Sequence, residues 1–268
     1  TKTPVVMNKR YCISPSLINM YTYMRDHCET IDDAQQKKQE ILDYINGVER
    51  EEPAAAARGT AFNELVDYLM DYDLNELLDH AVLHNETTLT QDYHGKTYLF
   101  SPVNTIAKVV DRVKGMAKQE YVSAHFDVMG SDVELHGYPD YIGLTEVVDL
   151  KTTKTFATDK YGAGWQHHVY PVVLIGSGMM QRVDTFTYLV CEMCETKGGV
   201  NLIYDIYPYS IPFDYRRSFN AIYDVLAYDL LPWIEEHRSL ITRGKIFGEE
   251  GDTNTGCRQR HPFQTYKS

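Results

Sequence analysis

The stretch that decides the reading is Gly137-Tyr-Pro-Asp-Tyr-Ile-Gly-Leu-Thr-Glu-Val-Val-Asp-Leu-Lys151. From Val122 onward apolar residues recur with a period of two. His125–Met129, Asp132–Ile142 and Glu146–Lys151 therefore read as a three-stranded meander, with turns at Gly130-Ser131 and Gly143-Leu144-Thr145. Asp140 falls near the end of one predicted strand. Asp149 falls near the end of the next, across a tight hairpin. Adjacent antiparallel strands can bring two such carboxylates within reach of one cation. Asp149 and Lys151 are two apart, so on a strand they share a face. Two carboxylates beside a lysine suit a hard, oxygen-seeking cation such as magnesium or manganese. Such an ion binds a phosphate oxygen and acidifies a water, while the lysine orients that water or steadies charge on phosphorus.

Downstream, a polar loop over Thr152–Gly164 carries Lys154 and Lys160. A helix is expected from about Trp165 to Ile175, kinked at Pro171. Gln166 and Tyr170 share one of its faces. His167 and His168 between them read as packed or solvent-facing rather than as phosphate ligands. Strands at 183–194 and 200–209 follow, joined by Thr196-Lys197-Gly198-Gly199. A long helix over about 214–243 carries the stripe Phe219, Ile222, Leu226, Leu230 and Trp233, with a bend at Pro232. From Gly244 the tail is polar.

Upstream, Ser14 and Pro15 mark the start of a helix over 14–27. A second helix over 33–47 ends at Gly47. Glu49–Ala57 reads as a connector, and a third helix runs from Arg58–Thr60 to about Asp79. On its wheel Ala61, Phe62, Leu65, Val66, Leu69 and Met70 fill one half. Asn63 and Asp67 lie just past the edge of that half, and Glu64 lies further round. Residues 93–100 form a short strand or hairpin. Ser101-Pro102 opens a helix to about Glu120, whose basic face (Lys108, Arg112, Lys114, Lys118) reads as a solvated surface. His136 has no obvious partner.

This order predicts a mixed α/β fold, a central mixed β-sheet flanked by helices, in one domain. Residues 1–57 form an N-terminal helical segment, 58–209 the core, and 210–268 a C-terminal helix and tail. The 268 residues are 43% hydrophobic and 24% charged, which excludes a disordered or collagen-like chain. The longest mostly apolar run, Val169–Met180, is broken by Pro171, Gly176 and Gly178 and is too short to span a membrane. No apolar leader is visible, and five cysteines point to a reducing, cytoplasmic setting rather than a disulfide framework. The net charge of −12 excludes non-specific coating of nucleic acid, but not binding through a local basic face or a metal-screened pocket.

Pro139-Asp140 followed by Asp149-Leu150-Lys151 resembles the signature of the PD-(D/E)XK nuclease superfamily. Gln166-His-His-Val-Tyr170 resembles the Gln-x-x-x-Tyr helix of its RecB-like branch, and Arg58-Gly-Thr-Ala-Phe-Asn-Glu64 that branch's first motif, Gly-Thr-x-x-His-Glu. Ile13-Ser-Pro-Ser16 is similar to the opening of many members. The pieces come in the family's order over roughly residues 13–209. The chain has no ATPase loop and is closest in style to RecE-type (exonuclease VIII-like) phage or prophage exonucleases. The resemblance implies a restriction-endonuclease-like α-β-β-β-α-β core with helical additions at both ends. It implies a magnesium- or manganese-dependent exonuclease acting on linear DNA in recombination or repair, or a catalytically weak DNA-binding module of the same fold. Asp140 and Asp149 would bind the metal with the Leu150 carbonyl. Lys151 would be the catalytic lysine, and Gln166 and Tyr170 would position the DNA or brace the site; Lys154, in the loop just after Lys151, reads separately as a substrate phosphate contact or a solvated lysine. Where relatives carry a metal-binding His this chain has Asn63, so the third ligand stays open among Asn63, Glu64 and Asp67. A single-strand annealing protein and further copies of the chain are the protein partners that the resemblance suggests. Some relatives hold an iron–sulfur cluster. Here Cys28 and Cys257 lack the further C-terminal cysteines, and Cys191 and Cys194 would face opposite sides of a strand, so no cluster is expected.

Overall fold

The computed structural model describes residues 9–71, the backbone of 83–85, and residues 88–249. The fold is mixed α/β, with a large mixed sheet flanked by helices, as the sequence leads one to expect. In chain order its strands are β1 (Arg10–Ile13), β2 (Leu83–Asn85), β3 (Thr88–Tyr93), β4 (Lys96–Ser101), β5 (Ala117–Lys118), β6 (Val122–Val128), β7 (Ser131–Gly137), β8 (Tyr141–Ile142), β9 (Glu146–Thr153), β10 (Thr185–Glu195) and β11 (Val200–Pro212). Eight of them form one sheet in the order β2-β3-β4-β11-β10-β9-β8-β5, and β1-β7-β6 form a second, smaller sheet.

The expected meander is therefore split. The hairpin β6–β7 closes through Met129 and Gly130, both at positive φ, and pairs with β1. The chain then leaves that sheet at Tyr138-Pro139-Asp140 and enters the large sheet at β8. Proline has no N–H to offer a ladder, so the crossing falls where pairing is hardest to continue. β9 and β10 run parallel, which requires a crossover, and helix α6 (Gln166–Gly176) supplies it.

The N-terminal helices begin and end on the expected signals. α1 (Pro15–His27) is capped by the Ser14 hydroxyl, which accepts from Leu17 N–H, and α2 (Ile31–Asn46) ends at Gly47 with φ 66°. Four boundaries differ from the sequence reading. α3 (Ala54–Leu69) starts four residues before Arg58, because Ala54–Ala57 are strong helix formers rather than a connector. It also stops before Asp79: Lys118 Nζ donates to the Asp67 carbonyl and reaches Asp71, holding the helix end as a cation does. Residues 72–82 lie outside the described residues. Among the described residues the helix after α3, α4 (Val103–Val113), is shorter than expected, since Gly115 at φ 82° turns the chain into β5. The long helix expected over 214–243 is three pieces: α7 (Tyr215–Val225), a π-helical turn over Leu226–Leu230, and α8 (Leu231–Glu236). Pro232 lacks the N–H that would bond back into the preceding turn.

Two apolar clusters cover the faces of the large sheet. On β9, Val147 joins the cluster of Phe186, Tyr188, Val190 and α6, whereas Val148 and Leu150 join that of Leu189, Cys191, Phe62 and Ile106. This is the period-two alternation of a strand buried on both sides.

Candidate functional site

The site is built just before β8 begins. β8 pairs with β9 only at Tyr141↔Val148 and Ile142↔Val147. On its other edge β9 pairs with β10 along its whole length, from Glu146↔Thr185 to Thr153↔Glu192. Beyond Val148 the edge that faced β8 is open, and the Asp140 side chain fills the gap: its Oδ2 accepts the Leu150 N–H at 2.9 Å. A strand residue's N–H and C=O leave on the same side, so the Leu150 carbonyl shares that edge.

Asp149, only 2% exposed, stands beside Tyr188 in the parallel register. Gln166 Nε2 donates to its Oδ1 at 3.0 Å. The Tyr170 hydroxyl lies beside Gln166 and the Tyr138 backbone, both of which favour its oxygen as an acceptor. Tyr170 packs so closely on Gly137 that a Cβ there would lie 2.7 Å from its Cε1, which explains a glycine at the last position of β7. Lys151 Nζ lies 2.6 Å from Asp149 Oδ2, but the approach is off the hydrogen-bond direction and leaves that buried oxygen without an aligned donor. Asp140, Asp149, Lys151, Gln166 and Tyr170, each expected from sequence, are thus one cluster.

Burial, and then the neighbouring Asp149, push the Asp140 carboxyl up to about 7. Burial also raises Asp149, although the Lys151 ammonium pulls against it. For Lys151 burial works against the charge, and Asp149 and Asp140 more than offset it, so its pKa lies above the ordinary lysine value. Two carboxylates and one ammonium leave net negative charge to be neutralised by a proton or a cation.

Helix α3 contributes a stripe at i, i+4 spacing: Gly59, Asn63 and Asp67. A Cβ on Gly59 would lie 2.9 Å from Thr152 Oγ1, and Asp67 Oδ1 accepts from Tyr141 OH at 2.9 Å. Asn63, midway along this stripe, thus stands opposite the open part of β9. Its Oδ1 is buried with no hydrogen-bond partner. Asp67 adds to the negative field on Asp140 and is also bonded by Gln119. Glu64 lies within 3.5 Å of Gln91 Nε2 on β3. Among the described residues no three His, Cys, Asp or Glu side chains cluster as a metal site. The oxygens suited to a hard cation are therefore of mixed type: Asp140, Asp149, the Leu150 carbonyl and the amide of Asn63. Asn63 Oδ1 is a buried acceptor without a partner, and Asp149 Oδ2 is met only by the Lys151 ammonium without an aligned hydrogen bond, and in that respect the residues fit such an ion.

A cleft of about 700 Å³ opens onto Lys151 and Gln166 between α1 and the loop helix α5 (Thr158–Gly162). Lys160 lines it, with Nζ over the Tyr161 ring. Lys154 is exposed, and its carbonyl accepts from Tyr204. His167 is buried against Tyr188 and pushed down to about 3 by burial, whereas His168 bonds Ser218 and lines the cleft. Of the basic residues expected on one helix face, Arg112 on α4 pairs with Glu146 at 2.5 Å, and Lys118, which lies on β5, pairs with Asp71. His136 lies next to Glu134 and Lys245. Cys191 is buried in the core, three positions before Cys194 on β10, and Cys257 lies outside the described residues. Sequence reasoning passed over Gly137 and Tyr161. A glycine ending an apolar–polar strand signals a close approach, whereas Tyr161 sits in a polar loop with no periodic signal.

No model of a known protein family matches the chain, and no curated protein matches it. Among solved structures, that of SSO0001 is similar at a TM-score of 0.40 and 10% identity, over 82% of this chain and 77% of that one. An overlap so loose carries no argument about fold or chemistry. Among the described residues no helix is long and apolar enough to cross a membrane.

Proposed function

We propose that the chain is a metal-dependent deoxyribonuclease of the PD-(D/E)XK, RecB-like kind, an exonuclease on linear DNA in recombination or repair. One observation carries the reading: Asp140, Asp149, Lys151 and Gln166 converge at an open strand edge, with Asn63 Oδ1 buried without a partner and Asp149 Oδ2 met only by the Lys151 ammonium. Asp140, Asp149, the Leu150 carbonyl and Asn63 would hold a magnesium or manganese ion. Its chemistry when bound is to activate a water and to screen a phosphate oxygen. Gln166 fixes Asp149 through Oδ1 and leaves Oδ2, now met by Lys151, for the ion, and Tyr170 stands beside Gln166. Lys151, kept charged by its carboxylate neighbours, stabilises the charge that builds on phosphorus.

Labelled linear duplex and single-stranded DNA, incubated with magnesium, manganese or EDTA, test this. The expected result is degradation from the ends that needs metal and falls at least about a hundredfold in Lys151→Ala. Near wild-type cleavage by that variant would remove the lysine from the mechanism. Binding without cleavage in either metal would favour a DNA-binding module, the reading that the uncharged Asn63 supports.

A further inference from the structure

We infer that Tyr161 is a positioning residue for Lys151: its hydroxyl is the oxygen that receives the ammonium when Lys151 leaves Asp149 and turns toward the cleft. The inference rests on the nuclease reading of the same site.

Tyr161 lies on α5 and is 5% exposed. Its ring is held between Phe156, stacked at 5.7 Å, and Tyr188, tilted at 5.3 Å. Tyr188 is the register partner of Asp149, so the ring lies over the face that carries Asp149 and Lys151. The hydroxyl is buried and has no aligned hydrogen-bond partner. Thr153 is beside it but donates its own proton to the Thr155 carbonyl. Buried hydroxyls are nearly always bonded, and one left unmade lowers stability, so this one is not explained by the resting fold. Its charged neighbours are Lys151 and Asp149, and of these only Lys151 is a donor: it and Tyr161 act electrostatically on each other. An ammonium carries three donors, and Lys151 directs only a poorly aligned contact at Asp149. Lys160 lies over the ring face and does not reach the hydroxyl as a bonded donor. A neutral phenol oxygen accepts a hydrogen bond without neutralising the ammonium. It can therefore hold the charge in place while a carboxylate oxygen is given up to a cation.

Tyr161→Phe tests this, because it removes one oxygen and keeps the stacked ring. Four readouts are compared with wild type: the melting temperature of the metal-free protein, the manganese-induced rise in that temperature, binding of a labelled oligonucleotide in calcium, and steady-state cleavage in magnesium. Expected are a melting temperature within about 2 °C of wild type or above it, an unchanged manganese shift, unchanged oligonucleotide affinity, and kcat down about tenfold at constant KM. An unchanged kcat overturns the inference. So does a rise in KM with weaker oligonucleotide binding, which would make the hydroxyl a direct substrate contact. A melting temperature lower by several degrees overturns it too, in favour of a structural role. If wild type itself shows no metal-dependent cleavage, the nuclease reading falls and this inference with it. If wild type cleaves and the variant matches it, only the role of Tyr161 falls.

Discussion

The two halves of β9 differ in what their edges meet. Val147 and Val148 are clamped between β8 and β10, and their side chains fill the two cores. Asp149, Leu150 and Lys151 continue the same strand with the same partner on one edge, but on the other edge a carboxylate stands in for a strand. Paired strand gives stability, while the half-paired continuation exposes backbone and charge that the fold alone does not satisfy. The site is thus a consequence of β8 beginning only at Tyr141, which leaves β9 beyond Val148 facing Asp140 instead of a strand.

The sharpest way to break this comparison is to neutralise the half-paired end. Asp140→Asn with Asp149→Asn should abolish the manganese-induced rise in melting temperature together with cleavage, since a ligand stabilises only the state that binds it. The same variant reports on the carboxylates without metal. The Asp140 carboxyl is raised in the folded state to about 7, so its contribution is most favourable below the unfolded carboxylate range and is lost as pH rises toward 7. The metal-free double variant should therefore gain on wild type at pH 8, by about 1–2 kcal/mol, and lose that advantage at pH 5. Thermal melts at both pH values, with and without manganese, give the answer. A full manganese shift in the variant would put the cation elsewhere.

Disturbing the clamped end should do the reverse. Val148→Ala removes two methyl groups from a fully buried position and should cost about 2 kcal/mol in urea unfolding. The manganese shift of the folded protein should stay as it is. Loss of that shift at full occupancy of the folded state would mean that the two halves are not separable.

The smallest effect is expected at Asn63. Asn63→His should tighten manganese binding by a few-fold, read by titration calorimetry, because a neutral imidazole is a better ligand than an amide. If affinity is unchanged and Glu64→Ala weakens it instead, the third oxygen belongs to Glu64.

Much of this arrangement was legible in the sequence, for local reasons. The spacing of Asp140, Asp149 and Lys151 encodes a hairpin and a shared face, and Gln166 with Tyr170 encodes one side of a helix. Both periodicities survive into the fold. What was not legible depends on contacts between distant segments. Nothing near Pro139 reveals that β7 and β8 belong to different sheets, since that is decided by β1 pairing with β7 more than a hundred residues away. The wheel of α3 put Asn63 at the edge of its apolar half, but only Thr152 and Tyr141 show that this edge meets β9. The break of the C-terminal helix at the π-helical turn was anticipated only as a bend, because Pro232 forbids one hydrogen bond without saying how the turn before it is wound.

The crossing at Tyr138-Pro139-Asp140 has a mechanical consequence. Asp140 is the last residue before the large sheet, and the residues just before it belong to the small one. A ligand shared by Asp140 and Asp149 would act as a rivet through that seam. Occupancy at one strand edge would then be felt as stiffness in the hairpin β6–β7 on the far side of the joint.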